Sequence, residues 1–394
     1  MSEAYIVAAT RTAGGRKGGR LSGWHPADLA AQVIDGLIDR TGADPAQIED
    51  VIMGCVSQAG EQAINVGRNA VLASQLPESV PGTTVDRQCG SSQQALHFAA
   101  QAVMAGSMDM VVAAGVESMS RVPMFSTVKL PQKNGMGHYM SPGIRARYPD
   151  VEEFTQFMGA EMIARKYTLS KEQLDTYALG SHQRAIDATR QGRFEEEILP
   201  VAVRTHDGGG DGEMHTVDEG IRFDASLEGI SGVDPLQEGG YISAANASQI
   251  CDGASGVMVV NERGLKALDV EPLARIHHLS VIGHDPVIML EAPLPATERA
   301  LKKAGLNASD IDAFEVNEAF APVPLAWLQT IGADPERLNV NGGAIALGHP
   351  LGSSGTKLMT TLVHALKQRG GRYGLQTMCE GGGLANVTII ERLQ

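Results

Sequence analysis

No run of ~18 consecutive apolar residues, the length of a helical membrane span, occurs in the 394-residue chain. Nor does the sequence open with a basic segment leading into an apolar one, so the expectation is a soluble, unexported protein of the cytoplasm, without a membrane partner. Cysteine is scarce: Cys55, Cys89, Cys251 and Cys379 stand far apart with no C-x-x-C pair. That spacing supports neither a disulfide framework nor a zinc ribbon and fits free thiols in a reducing compartment, with no metal expected. Positive charge is short as well, 32 Lys and Arg against 46 Asp and Glu, and the net −14 repels phosphate polyanions. Nucleic acid is therefore not an expected partner. The segment AGGRKGG after the first strand signal is neither G-x-G-x-x-G nor a P-loop, which disfavours nucleotide-dependent oxidoreduction. The basic stretch Arg11 to Arg20 reads as a solvated loop, while Lys129 to Lys133 and Arg145 to Arg147 are positioned to meet an anionic ligand such as a nucleotide phosphate.

What the chain has is ordinary globular material, 43% hydrophobic and 20% charged, enough for two or more cores. Its 46 glycines gather around turns, which suggests tight loops near a site. Strand and helix signals alternate in the first third: strands at Tyr5 to Ala9, Val51 to Met53, Thr83 to Val85 and Met110 to Ala114. Helices are predicted from Pro26 to a stop at Gly42 and from Ser91 to Ala105. The final third repeats this plan. TGADPAQIEDVIMG (41 to 54) and AGLNASDIDAFEVN (304 to 317) align at a constant offset of 263 residues, and CGSS (89 to 92) and LGSS (351 to 354) each open an apolar helix. The reading is an internal duplication of α/β units. Residues 121 to 249 differ, being rich in Met, Pro and Gly with amphipathic helices predicted near Val151 to Tyr167 and Lys171 to Phe194, the second opened by a Ser170-x-x-Gln173 capping box.

Four positions can carry chemistry. Cys89 lies between a short strand and the helix from Ser91, where unpaired N–H groups and the helix dipole would lower its pKa; the alternative is a buried small hydrophobe. His349 sits in NGGAIALGHPLGSSG, five glycines in fifteen residues, where an imidazole can take the thiol proton and later donate a hydrogen bond. Cys379 opens CEGGGLA between two strand-like runs, a glycine triplet that a hairpin turn explains only in part and that permits backbone N–H groups to approach a ligand. Asn317, in VNEAFA, stands at a strand end facing the crevice of an open sheet and can orient a water. Glu318 beside it reads equally as a buried structural carboxylate.

Together VDRQCGSS, VNEAFA, NVNGGAIALGHPLGSSG and CEGGGLA resemble the signature blocks of the thiolase family, in order and near the expected separations. NASQICDGAS, RTAGGRKGGRLSG, YALGSHQRA and GRFEEEILPV extend the likeness to essentially the whole chain. The resemblance implies two duplicated βαβαβαββ halves in a five-layered αβαβα arrangement with a loop-rich insertion. Its units would be 1–121 plus 250–273, an insertion at 122–249, and 274–394. The same resemblance makes Cys89 the nucleophile, His349 the catalytic histidine and Cys379 the acid/base cysteine. Asn317 would hold an oxyanion-hole water, and the Gly381 N–H would join that of Cys89 in a second oxyanion hole. Ser248 and Arg222 resemble coenzyme A contacts, with Ala319 and Phe320 along the pantetheine. The expected function is thiolytic cleavage of 3-ketoacyl-CoA through an acyl-Cys89 intermediate, with coenzyme A as substrate and product, no permanently bound cofactor, and a homodimer or homotetramer.

The alternatives are a biosynthetic acetoacetyl-CoA thiolase, a ketoacyl synthase, and a silent lipid-binding relative. Cys379, where a synthase has histidine, discriminates against the second; the intact set of site residues discriminates against the third. Departures from the family pattern occur at Ser92, Gln249 and Cys251, and FMGAE (157 to 161) is shorter than the usual run, so the acyl preference stays open.

Overall fold

The computed structural model describes residues 2–210 and 212–393. In the first half, strand β1 (Tyr5–Arg11) is followed by helix α1 (Pro26–Thr41), β2 (Asp50–Gly54), α2 (Val66–Ala73), β3 (Gly82–Val85), α3 (Ser91–Ala105) and β4 (Met110–Ser118). An insertion carrying α4 (Gln156–Lys166) and α5 (Lys171–Arg190) precedes the return to the sheet as β5 (Cys251–Val260). The second half runs β6 (Ala274–Gly283), α6 (Pro293–Ala304), β7 (Ala313–Val316), α7 (Pro322–Ile331), α8 (Ser354–Arg369), β8 (Tyr373–Glu380) and β9 (Leu384–Glu391).

Local chemistry sets the ends of these elements. Helix α1 starts on Pro26, whose missing N–H costs nothing at a first turn, and stops where Gly42 adopts φ 64° and returns its N–H to Ile38. Helix α5 opens with the predicted capping box, Ser170 and Gln173 each bonding the other's backbone N–H. Two predicted boundaries move. Helix α4 begins at Gln156, not Val151, because Thr155 caps the N–H of Met158. Helix α5 ends at Arg190, and Gly192 takes a left-handed conformation just beyond it.

The duplication is visible in strand order and direction. The first half reads β3-β2-β4-β5-β1, with β3, β2 and β4 parallel and β5 and β1 antiparallel. The second reads β7-β8-β9-β6 with the same sense, and its fifth position is reduced to Leu338, bridged in parallel to Phe314. The aligned segments of the sequence supply equivalent strands, β2 and β7. The halves join edge to edge through Tyr5 opposite Arg275 and Ile6 opposite Ala274.

Five layers result. Helices α1 and α2 cover the outer face of the first sheet, α3 and α8 lie between the sheets, and α6 and α7 cover the far face of the second. The central layer is closed by Leu96, Val103, Met359 and Leu362 packed with Ile6, Val111 and Val257. Each such aliphatic side chain contributes roughly 1.5–3 kcal/mol by leaving water. The outer core of the second half, around Leu294, Phe314 and Trp327, also takes Ile163 and Leu174 from the insertion. Among the described residues no helix is long and apolar enough to cross a membrane.

The solvated reading of the Arg11 stretch is corrected at its first residue. Arg11 is fully buried, its Nε 2.6 Å from Glu197 and its Nη1 2.8 Å from Asp218. Two carboxylates brought from 186 and 207 residues away make burial of this cation tolerable, which no local pattern announces.

Candidate active site

The chain enters α3 through a strained elbow. Gln88 has φ 50° and gives its N–H to Asp86 at 2.7 Å, and Ser91 ties the turn by accepting the Arg87 N–H at 2.9 Å and donating to the Gln88 carbonyl at 2.6 Å. Cys89 stands at the apex, partly exposed, between that turn and the helix. The expectation of a depressed thiol pKa is not met: burial, then the nearby Glu380 and Glu117 carboxylates, push it up to about 12. The turn also withholds the compensation that a helix start would offer. The N–H groups of Gly90 and Ser91, which a thiolate at a helix start would use, already bond the Arg87 and Gln88 carbonyls at 3.1 and 3.0 Å.

From the other end of the chain, β8 delivers Cys379 and Gly381 against this elbow. A β-carbon on Gly381 would lie 2.8 Å from the Gln88 amide oxygen, and one on Gly90 would lie 1.9 Å from Oε1 of Glu380. Cys379 is buried, and burial, with the neighbouring Cys89 sulfur, raises its thiol well above the ordinary value. The glycine triplet is the hairpin between β8 and β9, where Gly382 and Gly383 adopt φ 81° and 74°; Gly381 has no such conformation and is small for the sake of Gln88.

Asn317 follows β7 and bonds the Thr377 carbonyl at 3.1 Å, next to the Cys379 end of β8. Its Nδ2 lies 3.5 Å from Nε2 of His349, and its Oδ1 is buried without a protein partner. Ser354, the first residue of α8, fixes the imidazole: its Oγ is 2.5 Å from Nδ1 and 2.9 Å from the Pro350 carbonyl. Since a carbonyl only accepts, the chain of donors reads Nδ1–H to Ser354 O–H to Pro350, leaving Nε2 unprotonated, with its lone pair facing the Asn317 amide. Burial, then the Lys357 cation, lowers the His349 pKa to about 3, so the ring is neutral at neutral pH. Lys357 itself is tied to the Leu347 and Gly348 carbonyls. The start of α8 rests on the start of α3, with Thr356 N–H on Ser92 Oγ at 3.0 Å and Gly355 packed against Gln93. Buried Glu117 clamps the same region by accepting N–H groups from Val56, Ser57 and Gly352, each at 2.9 Å.

The remaining candidates surround this centre. Ser248 donates its N–H to the Ala319 carbonyl at 2.9 Å and is half-buried; Ala319 and Phe320 are buried, with Phe157 edge-on to Phe320 at 5.6 Å. Arg222 is exposed, close to a loop that Gln249 ties to Ile345 through its contacts with Gly220 and Ile345. Glu318 accepts from Tyr177, Ser181 and Ile345, and is a structural carboxylate. Cys251 is packed between Gly14 and Gly348. Sequence reasoning missed the parts played by Ser354, Glu117 and Glu380; a serine five residues after a His-Pro pair was the available hint for the first. Among the described residues no group of three or more His, Cys, Asp or Glu side chains converges on a metal position.

Comparisons with known proteins bear on the family and the fold. The thiolase N-terminal domain model matches residues 4–263 and the thiolase C-terminal domain model residues 270–392. The chain belongs to the thiolase family. Curated thiolases similar to it include steroid 3-ketoacyl-CoA thiolase FadA6 of Mycobacterium tuberculosis, 54% identical across 100% of this chain and 95% of that protein. The 3-ketoacyl-CoA thiolase of Cronobacter sakazakii is 41% identical over the full length of both. Among solved structures, the acetyl-CoA acetyltransferase of Bacillus anthracis superposes with a TM-score of 0.90 at 34% identity, covering 100% of this chain and 99% of that one. The thiolase fold and the enzyme class expected from the sequence are thereby shown.

Proposed function

We propose that this thiolase cleaves 3-ketoacyl-CoA with coenzyme A, and that Cys89, His349, Cys379, Asn317 and Gly381 carry the reaction. The observation that supports it most is the approach of two thiols from opposite ends of the chain, half-buried Cys89 and buried Cys379, in a site that also holds a neutral imidazole with an unprotonated Nε2. A thiol held near 12 is ionised in only about one molecule in 10^5 at pH 7. Cys89 therefore attacks as its proton passes to Nε2 of His349, while the 3-keto oxygen gains charge. The Cα–Cβ bond then breaks, Cys379 gives its proton to the acetyl-CoA enolate, and the acyl group remains on Cys89. The incoming coenzyme A thiol, giving its proton to Cys379, displaces Cys89, which takes its own proton back from Nε2 of His349, and coenzyme A leaves as an acyl-CoA two carbons shorter. A sulfur nucleophile suits both halves, because the acyl group stays activated throughout. Oxyanion stabilisation would come from a water on Asn317 with His349, and from the N–H groups of Cys89 and Gly381.

Coenzyme A would run past Ser248 and Arg222, with Ala319 and Phe320 along its pantetheine. For the acyl part we infer a bulky apolar, ring-bearing group. The relative named as a steroid thiolase supports this, as does Phe157, exposed and edge-on to Phe320. The units we propose are 1–121 plus 250–273, 122–249, and 274–394. A cytoplasmic homodimer or homotetramer fits the unpaired edge of β3 and the 88% exposure of Ile64. Thiolysis rates for short, long and ring-bearing 3-ketoacyl-CoAs test the reading, and restriction to acetoacetyl-CoA would overturn it in favour of the biosynthetic alternative.

A further inference from the structure

Glu380 takes no part in the steps above, yet it is fully buried against the nucleophile's elbow. Its Oε1 accepts the Asn386 N–H at 3.0 Å and sits where a side chain at position 90 would otherwise be; its Oε2 is buried with no partner. Alternation along β8 sends Cys379 to one face and Glu380 to the other, toward the start of α3. The carboxyl thus lies against Gly90, the residue between Cys89 and the start of α3. Three groups, Cys89, Cys379 and Glu380, compete for room for one negative charge.

We propose that Glu380 is a positioning residue that, as a neutral acid, lets negative charge develop on the Cys89 sulfur, and that its ionisation opposes that charge. The titratable and charged groups around the elbow come from four elements. The elbow contributes Cys89, Asp86 and Arg87, whose Nε is itself buried without a partner; β4 contributes Glu117, β8 contributes Cys379, and α3 contributes His97, held neutral by burial. Burial outweighs the Arg87 cation and the Asn386 N–H and holds the carboxyl up to about 8, so the acid is uncharged below that pH and charged above it. A carboxylate next to a thiol disfavours the thiolate and so raises the thiol, the direction in which Glu380 acts on Cys89. For a thiolase the consequence is a site that loses acylation rate above about pH 8, a consequence that rests on the proposed function; the charge competition itself does not.

The test is alkylation of Cys89 by iodoacetamide from pH 6 to 10 on the full-length wild-type, E380Q and R87Q proteins, with the modified residue read by peptide mass spectrometry. In the wild type the logarithm of the rate should rise steadily to about pH 8 and then flatten. E380Q should match it within about twofold at pH 6.5 and exceed it by about tenfold or more at pH 9.5. R87Q, which removes the cation favouring the carboxylate, should move the bend to higher pH. Parallel profiles for wild type and E380Q would overturn the proposal; if E380Q does not fold, an R87Q bend unmoved from that of the wild type overturns it. Alkylation needs no acyl-CoA, so failure of the thiolase reading would appear separately, as absence of acyl-enzyme with every acyl-CoA tried.

Discussion

Replacing Ser354 by alanine should impair acylation without touching a reacting atom. The hydroxyl accepts Nδ1–H of His349 at 2.5 Å and donates to Pro350 at 2.9 Å, so its loss leaves a buried imidazole N–H without its partner and releases the tautomer that keeps Nε2 unprotonated. An unsatisfied buried donor costs about 1–3 kcal/mol. If that cost is relieved by moving the proton to Nε2, the base is absent from most molecules, and at 1.4 kcal/mol per factor of ten the acylation rate falls about 5- to 150-fold. Stopped-flow thiol acylation, or quenched-flow mass spectrometry of the acyl-enzyme, measures this directly. KM should change little, because Ser354 lies behind the imidazole, and S354T, which retains the hydroxyl, should recover much of the rate. Acylation of S354A at the wild-type rate would refute the tautomer argument.

Cys89→Ala should abolish acyl-enzyme formation, while Cys379→Ala should still be acylated but lose Claisen condensation; condensation by C379A at the wild-type rate would remove Cys379 from its role. Glu197→Gln should leave Arg11 with half its compensation and destabilise the fold by about 3–5 kcal/mol, seen as a lowered Tm with kcat retained in the folded fraction. His97 and His349 are both held near 3 by burial, against 6.5 unfolded, so neither affects stability above pH 6.5. As pH falls toward 3 the unfolded chain takes up these protons and the native state does not, costing about 1.4 kcal/mol per pH unit for each. Urea titrations of H97N should show a shallower loss between pH 6 and 5 than the wild type; identical slopes would mean that His97 is not the buried neutral group described.

Much of the fold was legible because it rests on local rules. The helix from Ser91 to Ala105, the Gly42 stop and the Ser170 capping box all follow from periodicity and caps, and the aligned segments 41–54 and 304–317 carried the duplication. The site was legible as residue types near glycine-rich turns. What stayed hidden depends on distant partners. Arg11 looked solvated because Glu197 and Asp218 are remote in sequence, and the Cys89 pKa was expected on the wrong side of normal because Glu380 and the turn carbonyls at Arg87 and Gln88 are not part of a helix-dipole argument. Ser354 was quoted within a motif, yet its role needs the His349 ring orientation, which only tertiary packing fixes.

The central claim is that Cys89 carries the acyl group. Intact-protein mass spectrometry after brief exposure to a 3-ketoacyl-CoA, followed by peptide mapping, tests it most directly. The account predicts one added acyl group, two carbons shorter than the substrate, on the peptide containing Cys89, removed by coenzyme A. An adduct on Cys379 or Cys251 instead, or none with any chain length while thiolysis proceeds, would contradict it.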